Sequence, residues 1–179
     1  MMTTQVTLIR HGQSLWNPLG RLQGHGPVPL SELGKQQARR LAQALAEADS
    51  YTALYSSDLL RCRQTVAPVA GVLDMPVVYD ERFRAFDFGT WQGFTGEELR
   101  QFDPVAWEAH EADPYGVAAP GGENLGMLLE RVIDGLLDVV QAHPAGNVVL
   151  VTHSGPIGEL LDYFKLWPPA SSQKMYGTS

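Results

Sequence analysis

The strongest constraint on the fold is an alternation of short apolar segments with longer segments in which apolar residues recur at helical spacing. The short segments are rich in β-branched residues, which favours buried strands. Strands separated by helices form right-handed βαβ units. The pattern therefore predicts an α/β fold, a three-layer sandwich with a mostly parallel central sheet and helices on both faces. The predicted strands cover residues 6–9, 52–56, 77–79 and 148–151.

Several residues mark where the intervening helices begin. Ser31 and Asp58 are predicted N-caps, because their side chains accept hydrogen bonds from a first helical turn. Pro156 suits the first turn of the last helix. The other predicted elements are helices at 97–111 and 125–142, a last helix that ends near 166, and a surface strand or frayed end at 168–179.

Length and charge limit the classes of function. A chain of 179 residues is predicted to form a single domain over 1–179. Its net charge of -7 argues against a general nucleic-acid or anionic-membrane partner, since both need a positive field. The sequence has neither a signal-like N-terminus nor an apolar run of about 18 residues. We therefore expect a soluble, cytoplasmic protein, with a homodimer left open.

The single cysteine, Cys62, excludes an intrachain disulfide framework and a multi-cysteine zinc site. No His-Glu-x-x-His motif or comparable ligand spacing is present, so no metal site is expected. A cysteine-phosphatase motif would need an arginine six residues after Cys62, where Pro68 stands. Cys62 is therefore predicted to be a small packing residue.

Two predicted strands each end in a histidine, His11 and His153. Strand-end residues that are distant in sequence meet when their parallel strands are neighbours, and ligands bind at the carboxyl ends of such strands. Arg10 and Arg61 add guanidinium groups, which match phosphate oxygens and keep their charge. Two arginines and two histidines around one pocket indicate a phosphoryl site.

The sequence resembles the histidine phosphatase superfamily, the phosphoglycerate-mutase-like proteins. The matching segments are short, but their order and spacing across nearly the whole chain are specific. They comprise Arg10-His-Gly-Gln-Ser14, Trp16-Asn17, Gln23-Gly24, Leu30-Ser-Glu-Leu-Gly34, Tyr55-Ser-Ser-Asp-Leu-Leu-Arg61, Asp87-Phe-Gly89, Trp91-Gln-Gly93, Pro120-Gly-Gly-Glu123 and Thr152-His-Ser-Gly155.

The resemblance implies that His11 is a nucleophile that forms a phosphohistidine through Nε2. It implies that Arg10, Arg61 and His153 surround the phosphate oxygens, where fixed donors stabilise the transition state. It also implies a small phosphorylated metabolite as substrate and no metal or cofactor. The residues expected to complete the substrate pocket are Ser14, Asn17, Gln23 and Gly24.

One position departs from the family pattern. Members of the family usually carry a glutamate four residues before the glycine of the Asp-Phe-Gly segment, as general acid, and this chain has Ala85 there. Losing a general acid typically costs about 10²- to 10⁴-fold in rate. Three explanations stay open: another carboxylate substitutes, the alanine is an engineered change that slows turnover, or the protein is a weak or inactive relative. The substitute carboxylates considered are Asp87, Glu81 and Glu123.

The preferred function is therefore a phosphomonoesterase, and two alternatives are kept. A phosphoglycerate-mutase-like phosphotransferase is second, because mutases of this superfamily generally carry a longer insertion between the equivalents of Gly93 and Pro120. A phosphate-binding module without turnover is third, because of Ala85. The sequence does not select a substrate.

The remaining aromatic and histidine residues are assigned by their context. His25 lies in a Gly-rich loop, where a substrate contact and an exposed position are equally expected, and His110 and His143 are predicted at the surface. Two aromatic sets are distinguished: Phe83, Phe86, Phe88 and Trp91 in the core, and Phe94, Phe102 and Trp107 along a pocket rim.

Overall fold

The computed structural model describes residues 3–48 and 50–165 and shows a parallel four-stranded sheet in this part of the chain. The strands are β1 (Gln5–Arg10), β2 (Ala53–Ser56), β3 (Val77–Tyr79) and β4 (Asn147–Thr152). Their order is β1-β4-β2-β3, so the last strand of the described residues lies between the first two. The predicted α/β fold with a parallel sheet is confirmed.

Six α-helices connect and cover these strands in the described residues. They are α1 (Glu32–Glu47), α2 (Leu60–Leu73), α3 (Gly96–Phe102), α4 (Pro104–Ala112), α5 (Leu125–Ala142) and α6 (Ser154–Tyr163). The single helix predicted over 97–111 is thus two short helices, with Pro104 opening the second. The last helix ends at Tyr163, and the predicted tail at 168–179 lies outside the described residues.

The two predicted N-caps have different outcomes. Ser31 caps α1, because its hydroxyl accepts a hydrogen bond from the Gly34 amide at 3.1 Å. Asp58 does not cap α2, whose N-cap is Leu59. The Asp58 carboxylate instead binds the guanidinium of Arg84, with Nε at 2.7 Å. The Asp58 carboxylate therefore forms a charge-assisted hydrogen bond with Arg84, which is distant in sequence, and α2 has no side-chain N-cap hydrogen bond.

The sheet divides the core into two layers because side chains alternate along each strand. On β4, Val149 and Val151 pack with α1 and α2, whereas Val148 and Leu150 face the opposite side with α5 and α6. All four side chains are fully buried. Helices therefore cover both faces of the sheet, as predicted. No helix in the described residues is both long and apolar enough to cross a membrane.

The loop after β1 is held against the start of α1 by a close approach of two glycines. A Cβ on Gly12 would overlap the carbonyl oxygen of Gly34, and a Cβ on Gly34 would overlap that of Gln13. The Ser31 amide also donates to the Gln13 carbonyl at 2.8 Å. These contacts fix the backbone that carries His11.

Replacing Gly34 with alanine should destabilise the protein. Alanine normally favours a helix by about 0.5–1 kcal/mol over glycine, but here the added methyl group meets backbone, and overpacking typically costs about 1–3 kcal/mol. Gly71 in α2 is a matched control, because a Cβ there meets nothing within 4 Å. Urea unfolding should show a loss of stability for Gly34→Ala and a gain for Gly71→Ala; two gains would contradict the close approach.

Candidate active site

Three neighbouring strands end at one edge of the sheet and bring the two histidines together. The His11 amide donates to the Thr152 carbonyl at 3.0 Å, which extends the pairing of β1 with β4. The ring centroids of His11 and His153 are 5.1 Å apart. The structure thus brings the two strand-end histidines together, as expected from the sequence, although they are 142 positions apart in the chain.

His11 is held as a neutral imidazole. Its Nδ1 lies 2.7 Å from the Gly12 carbonyl oxygen, which only accepts, so the proton is on Nδ1 and Nε2 keeps its lone pair. Burial lowers the pKa of His11 to about 3, and the positive charges of Arg61 and Arg10 add to this, against the opposing hydrogen bond to Gly12. A neutral ring with a free Nε2 is suited to nucleophilic attack.

His153 is also neutral, and both of its ring nitrogens have partners. Nδ1 accepts a hydrogen bond from Arg61 Nε at 3.2 Å, and Nε2 donates to the hydroxyl of Ser57 at 2.9 Å. Burial lowers the pKa of His153 well below its ordinary value, and the nearby charge of Arg61 lowers it further. The Nε2–H group of His153 is engaged by Ser57 in this arrangement, so it can donate to a phosphate oxygen only if the imidazole ring rotates away from Ser57.

Arg61 joins the histidines to the Gly-rich loop. It is 1% exposed, and besides His153 it donates to the carbonyls of Gly24 at 2.8 Å and Gly26 at 3.3 Å. Burial lowers the pKa of Arg61 to about 10, which leaves it charged at neutral pH. Three of its five N–H groups are used in these bonds, so two are available to a ligand.

A cavity of about 180 Å³ opens at this edge of the sheet. It is lined by Arg10, His11, Asn17, Gln23, Gly24, Arg61 and His153, together with Ser154 and Gly155 at the start of α6. The first N–H groups of a helix have no partner within the helix and attract anions. The cavity therefore combines charged donors, amide donors and a helix N-terminus around two neutral imidazoles.

Of the four residues expected to complete the substrate pocket, three line the cavity and one does not. Asn17, Gln23 and Gly24 line the cavity, and the Gln23 Oε1 atom is buried without a hydrogen-bond partner among the described residues. Ser14 is fully buried and does not line the cavity. Its hydroxyl accepts hydrogen bonds from the amides of Trp16 and Asn17, so it shapes the loop that carries Asn17.

The far wall of the cavity is apolar, and one of the two aromatic assignments made from the sequence, that of the pocket rim, is wrong. The wall consists of Leu22, Phe86, Phe88, Leu125 and Leu128. Phe86 and Phe88 were predicted in the core, and they do belong to the main apolar cluster, where they also line the cavity with ring centroids 4.7 Å apart. The predicted rim residues do not line it: Trp107 is buried in the core, and Phe94 stacks on the exposed Phe102.

Comparison with protein families shows the family of this chain. The model of the histidine phosphatase superfamily (branch 1) matches residues 6–178. The chain belongs to this superfamily.

Individual relatives agree with that assignment. The chain is 34% identical over 169 residues to phosphoserine phosphatase 1 of Hydrogenobacter thermophilus, across 91% of this chain and 80% of the relative. It is 33% identical over 178 residues to phosphoglycerate mutase-like protein 4 of Arabidopsis thaliana, across 98% and 76%. The structure of Bacillus stearothermophilus YhfR superposes with a TM-score of 0.84 at 35% identity, covering 93% of this chain and 82% of that one.

At the position where the superfamily resemblance implies a glutamate, Ala85 lines the cavity. No carboxylate lines the cavity in the described part of the chain. The Ala85 carbonyl is held from two sides, by His25 Nε2 at 2.9 Å and by Arg131 at 2.8 Å. The backbone at this position is therefore fixed, while the side chain supplies no proton.

The three substitute carboxylates are engaged elsewhere. Glu123 binds Arg131 at 2.6 Å and accepts from the Asp87 amide at 2.8 Å. Asp87 accepts from the Gly89 amide and lies 3.6 Å from His25 Nδ1. Glu81 is exposed and pairs with Arg84 at 3.3 Å. As placed here, none of them reaches the reacting groups.

Three residues have roles that the sequence did not indicate. Arg131 is separated from its partners in sequence and carries no motif, yet it organises the segment around Ala85. Ser57 lay within the quoted Tyr55–Arg61 segment, but its partner His153 became evident only from strand order. His110 was predicted at the surface and is fully buried, with Nδ1 2.7 Å from the Val117 carbonyl oxygen.

Within the described residues, no three His, Cys, Asp or Glu side chains are grouped to hold a metal ion.

The low pKa of His11 should appear as a pH dependence of stability. The folded state keeps His11 neutral down to about pH 3, whereas the unfolded chain takes up a proton near pH 6.5. The unfolded state therefore binds more protons between these values, and stability falls as the pH is lowered through this window. The slope for one proton is about 1.4 kcal/mol per pH unit.

His11→Asn removes this contribution from both states. In urea unfolding between pH 7.5 and pH 4.5, the variant should lose stability less steeply than the wild type, by about 1.4 kcal/mol per pH unit near pH 5. The carboxylates and His153 are common to both proteins, so their contributions cancel. Parallel slopes would show that His11 is protonated in the folded protein.

Proposed function

We propose that this protein is a phosphomonoesterase that hydrolyses a small phosphorylated metabolite through a phosphohistidine on His11. The observation that carries the proposal is the free Nε2 of a buried, neutral His11 in a cavity that also holds Arg10 and Arg61. The phosphatase named among its relatives supports this activity.

In the first step, the lone pair of His11 Nε2 attacks phosphorus and the bond from phosphorus to the ester oxygen breaks. The Nδ1 proton stays on the ring and is donated in a hydrogen bond to the Gly12 carbonyl oxygen, which stabilises the positive charge that develops on the imidazole. Arg10 and the two spare N–H groups of Arg61 face the equatorial oxygens, where charge spreads in the transition state. Asn17, Gln23 and the start of α6 add neutral donors.

In the second step, water attacks the phosphorus of the phosphohistidine and the N–P bond returns its electron pair to Nε2. Both water protons can leave on the dihydrogen phosphate product, so the products balance without a basic side chain. A missing general base slows this step rather than abolishing it. The route uses only groups of the chain itself and water.

A phosphotransferase of the mutase type is the second candidate, because one relative is named phosphoglycerate mutase-like. Such an enzyme must keep water away from the phosphohistidine until a second hydroxyl accepts the phosphate. The segment from Gly93 to Pro120 holds only the two short helices α3 and α4 in this chain. Hydrolysis is therefore favoured over transfer.

The activity test compares the wild type with His11→Asn and His143→Asn on 4-nitrophenyl phosphate, with chelator present. His143 is a matched control, because its ring binds the Tyr55 hydroxyl at 3.0 Å and does not line the cavity. We expect steady release of nitrophenol by the wild type and His143→Asn, and at least a thousandfold loss in His11→Asn, since the nucleophile is absent. Equal activity in all three would contradict the proposal.

Two further outcomes distinguish the alternatives. With 3-phosphoglycerate followed by ³¹P NMR, 2-phosphoglycerate that forms faster than free phosphate would establish the mutase. No turnover, combined with stabilisation of wild type and His11→Asn alike by inorganic phosphate, would establish the binding module.

A further inference from the structure

We propose that the ester cleaved at this site is that of a phenol: an aryl phosphate with an uncharged aromatic leaving group and no second anionic group. This inference rests on the proposed function and specifies its substrate class. Three independent features of the cavity point to it: the groups that are missing near the leaving oxygen, the chemistry of the far wall, and the number of available cations.

The first feature is the absence of a proton donor of the carboxyl type. Ala85 lines the cavity, and no Asp or Glu does so within 3–48 and 50–165. A phenol such as tyrosine has a pKa of about 10, whereas an aliphatic alcohol is, like water, a far weaker acid. A phenolate therefore departs without a general acid, while an alkoxide depends on one.

The second feature is the apolar far wall. Leu22, Leu125 and Leu128 line the cavity together with the pair formed by Phe86 and Phe88; Leu22, Phe88 and Leu125 are half-buried, while Phe86 and Leu128 are buried. An aromatic ring packs on such a pair in an edge-to-face or offset arrangement, and its burial is favourable. The cavity of about 180 Å³ is smaller than the roughly 300–1,000 Å³ pockets of drug-sized ligands, so a single ring suits it better than a large group.

The third feature is that no cation is left for a second anionic group. Apart from the histidines, Arg10, Arg21 and Arg61 are the basic residues that line the cavity in the described chain. Arg21 is already paired with both carboxylate oxygens of Glu98, at 3.0 and 3.2 Å. The other two face the transferred phosphate.

A substrate such as phosphoserine carries a carboxylate besides its phosphate. In this cavity that carboxylate would meet the Leu and Phe side chains, and burying an unpaired charge is costly. The remaining guanidinium among the described lining residues, Arg21, would have to exchange Glu98 for it. The wall therefore selects against acidic metabolites, although two relatives and a similar solved structure are named for phosphoserine.

The bond changes are balanced for a phenyl ester. His11 Nε2 forms a bond to phosphorus, the bond from phosphorus to the phenolic oxygen breaks, and the phenolate leaves with the electron pair. It takes a proton from solvent after departure. Water then forms the new P–O bond and dihydrogen phosphate leaves, which restores the neutral imidazole.

Phenyl phosphate and benzyl phosphate provide a matched test, because both carry one uncharged ring but only the first releases a phenolate. We expect wild-type kcat/KM to be about 10²- to 10⁴-fold higher for phenyl phosphate, the usual contribution of a general acid. Ala85→Glu should raise the benzyl value by a similar factor and the phenyl value by less than about tenfold. Ala85→Gln adds the same bulk without a proton and should leave the ratio of the two substrates unchanged.

Binding provides a second readout that does not depend on turnover. Phenylphosphonate should inhibit hydrolysis of 4-nitrophenyl phosphate with an inhibition constant at least about tenfold lower than that of phosphonoacetate, which carries a carboxylate in place of the ring. Tighter inhibition by phosphonoacetate would overturn the proposed leaving group.

The kinetic outcomes also separate this inference from the function on which it rests. Equal hydrolysis of the phenyl and benzyl esters, or faster hydrolysis of phosphoserine than of phenyl phosphate, would overturn the aryl substrate and leave the phosphomonoesterase intact. No turnover of any of the three esters by the wild type would overturn both.

Discussion

The parallel pairing of β1 with β4 is the interaction on which the site depends. It places β4 beside the first strand, so that the His11 amide is hydrogen-bonded to Thr152 and the ring centroids of His11 and His153 lie 5.1 Å apart. β2 lies on the other side of β4 and brings Ser57 to the same edge. The geometry of the site therefore depends on the order of the strands, and a register shift of β4 would move His153 away from His11 and Ser57.

The electrostatics of the site follow from burial. A buried imidazole beside two guanidinium groups stays neutral, because burial and positive charge both disfavour its protonated form. The same guanidinium groups keep their charge, and in the proposed reaction this charge holds the phosphate that the neutral ring attacks. Arg61 couples these roles, since one side chain fixes His153 and the loop at Gly24. Ala85 leaves this arrangement intact but supplies no proton to the leaving oxygen. In the proposed reaction the substrate therefore needs a leaving group that departs without protonation.

Local patterns in the sequence predicted the strands and the Ser31 cap, whereas the cluster of Arg10, His11, Arg61 and His153 was expected from the strand ends together with the resemblance to the superfamily. Other features that depend on long-range partners were not predicted. Asp58 is paired with Arg84 instead of capping a helix, and His110 is buried under a loop. The assignment of Phe94, Phe102 and Trp107 to a pocket rim also failed, since apolar side chains look the same in sequence wherever they pack.

The central claim is that His11 carries the phosphate, and trapping the intermediate tests it most directly. The protein is mixed with 4-nitrophenyl phosphate, quenched in alkali, in which phosphohistidine survives, and digested for mass spectrometry. We predict a single added phosphate on the peptide that contains His11, together with released nitrophenol. Released nitrophenol with no phosphate on His11, or with phosphate on another residue, would contradict the account.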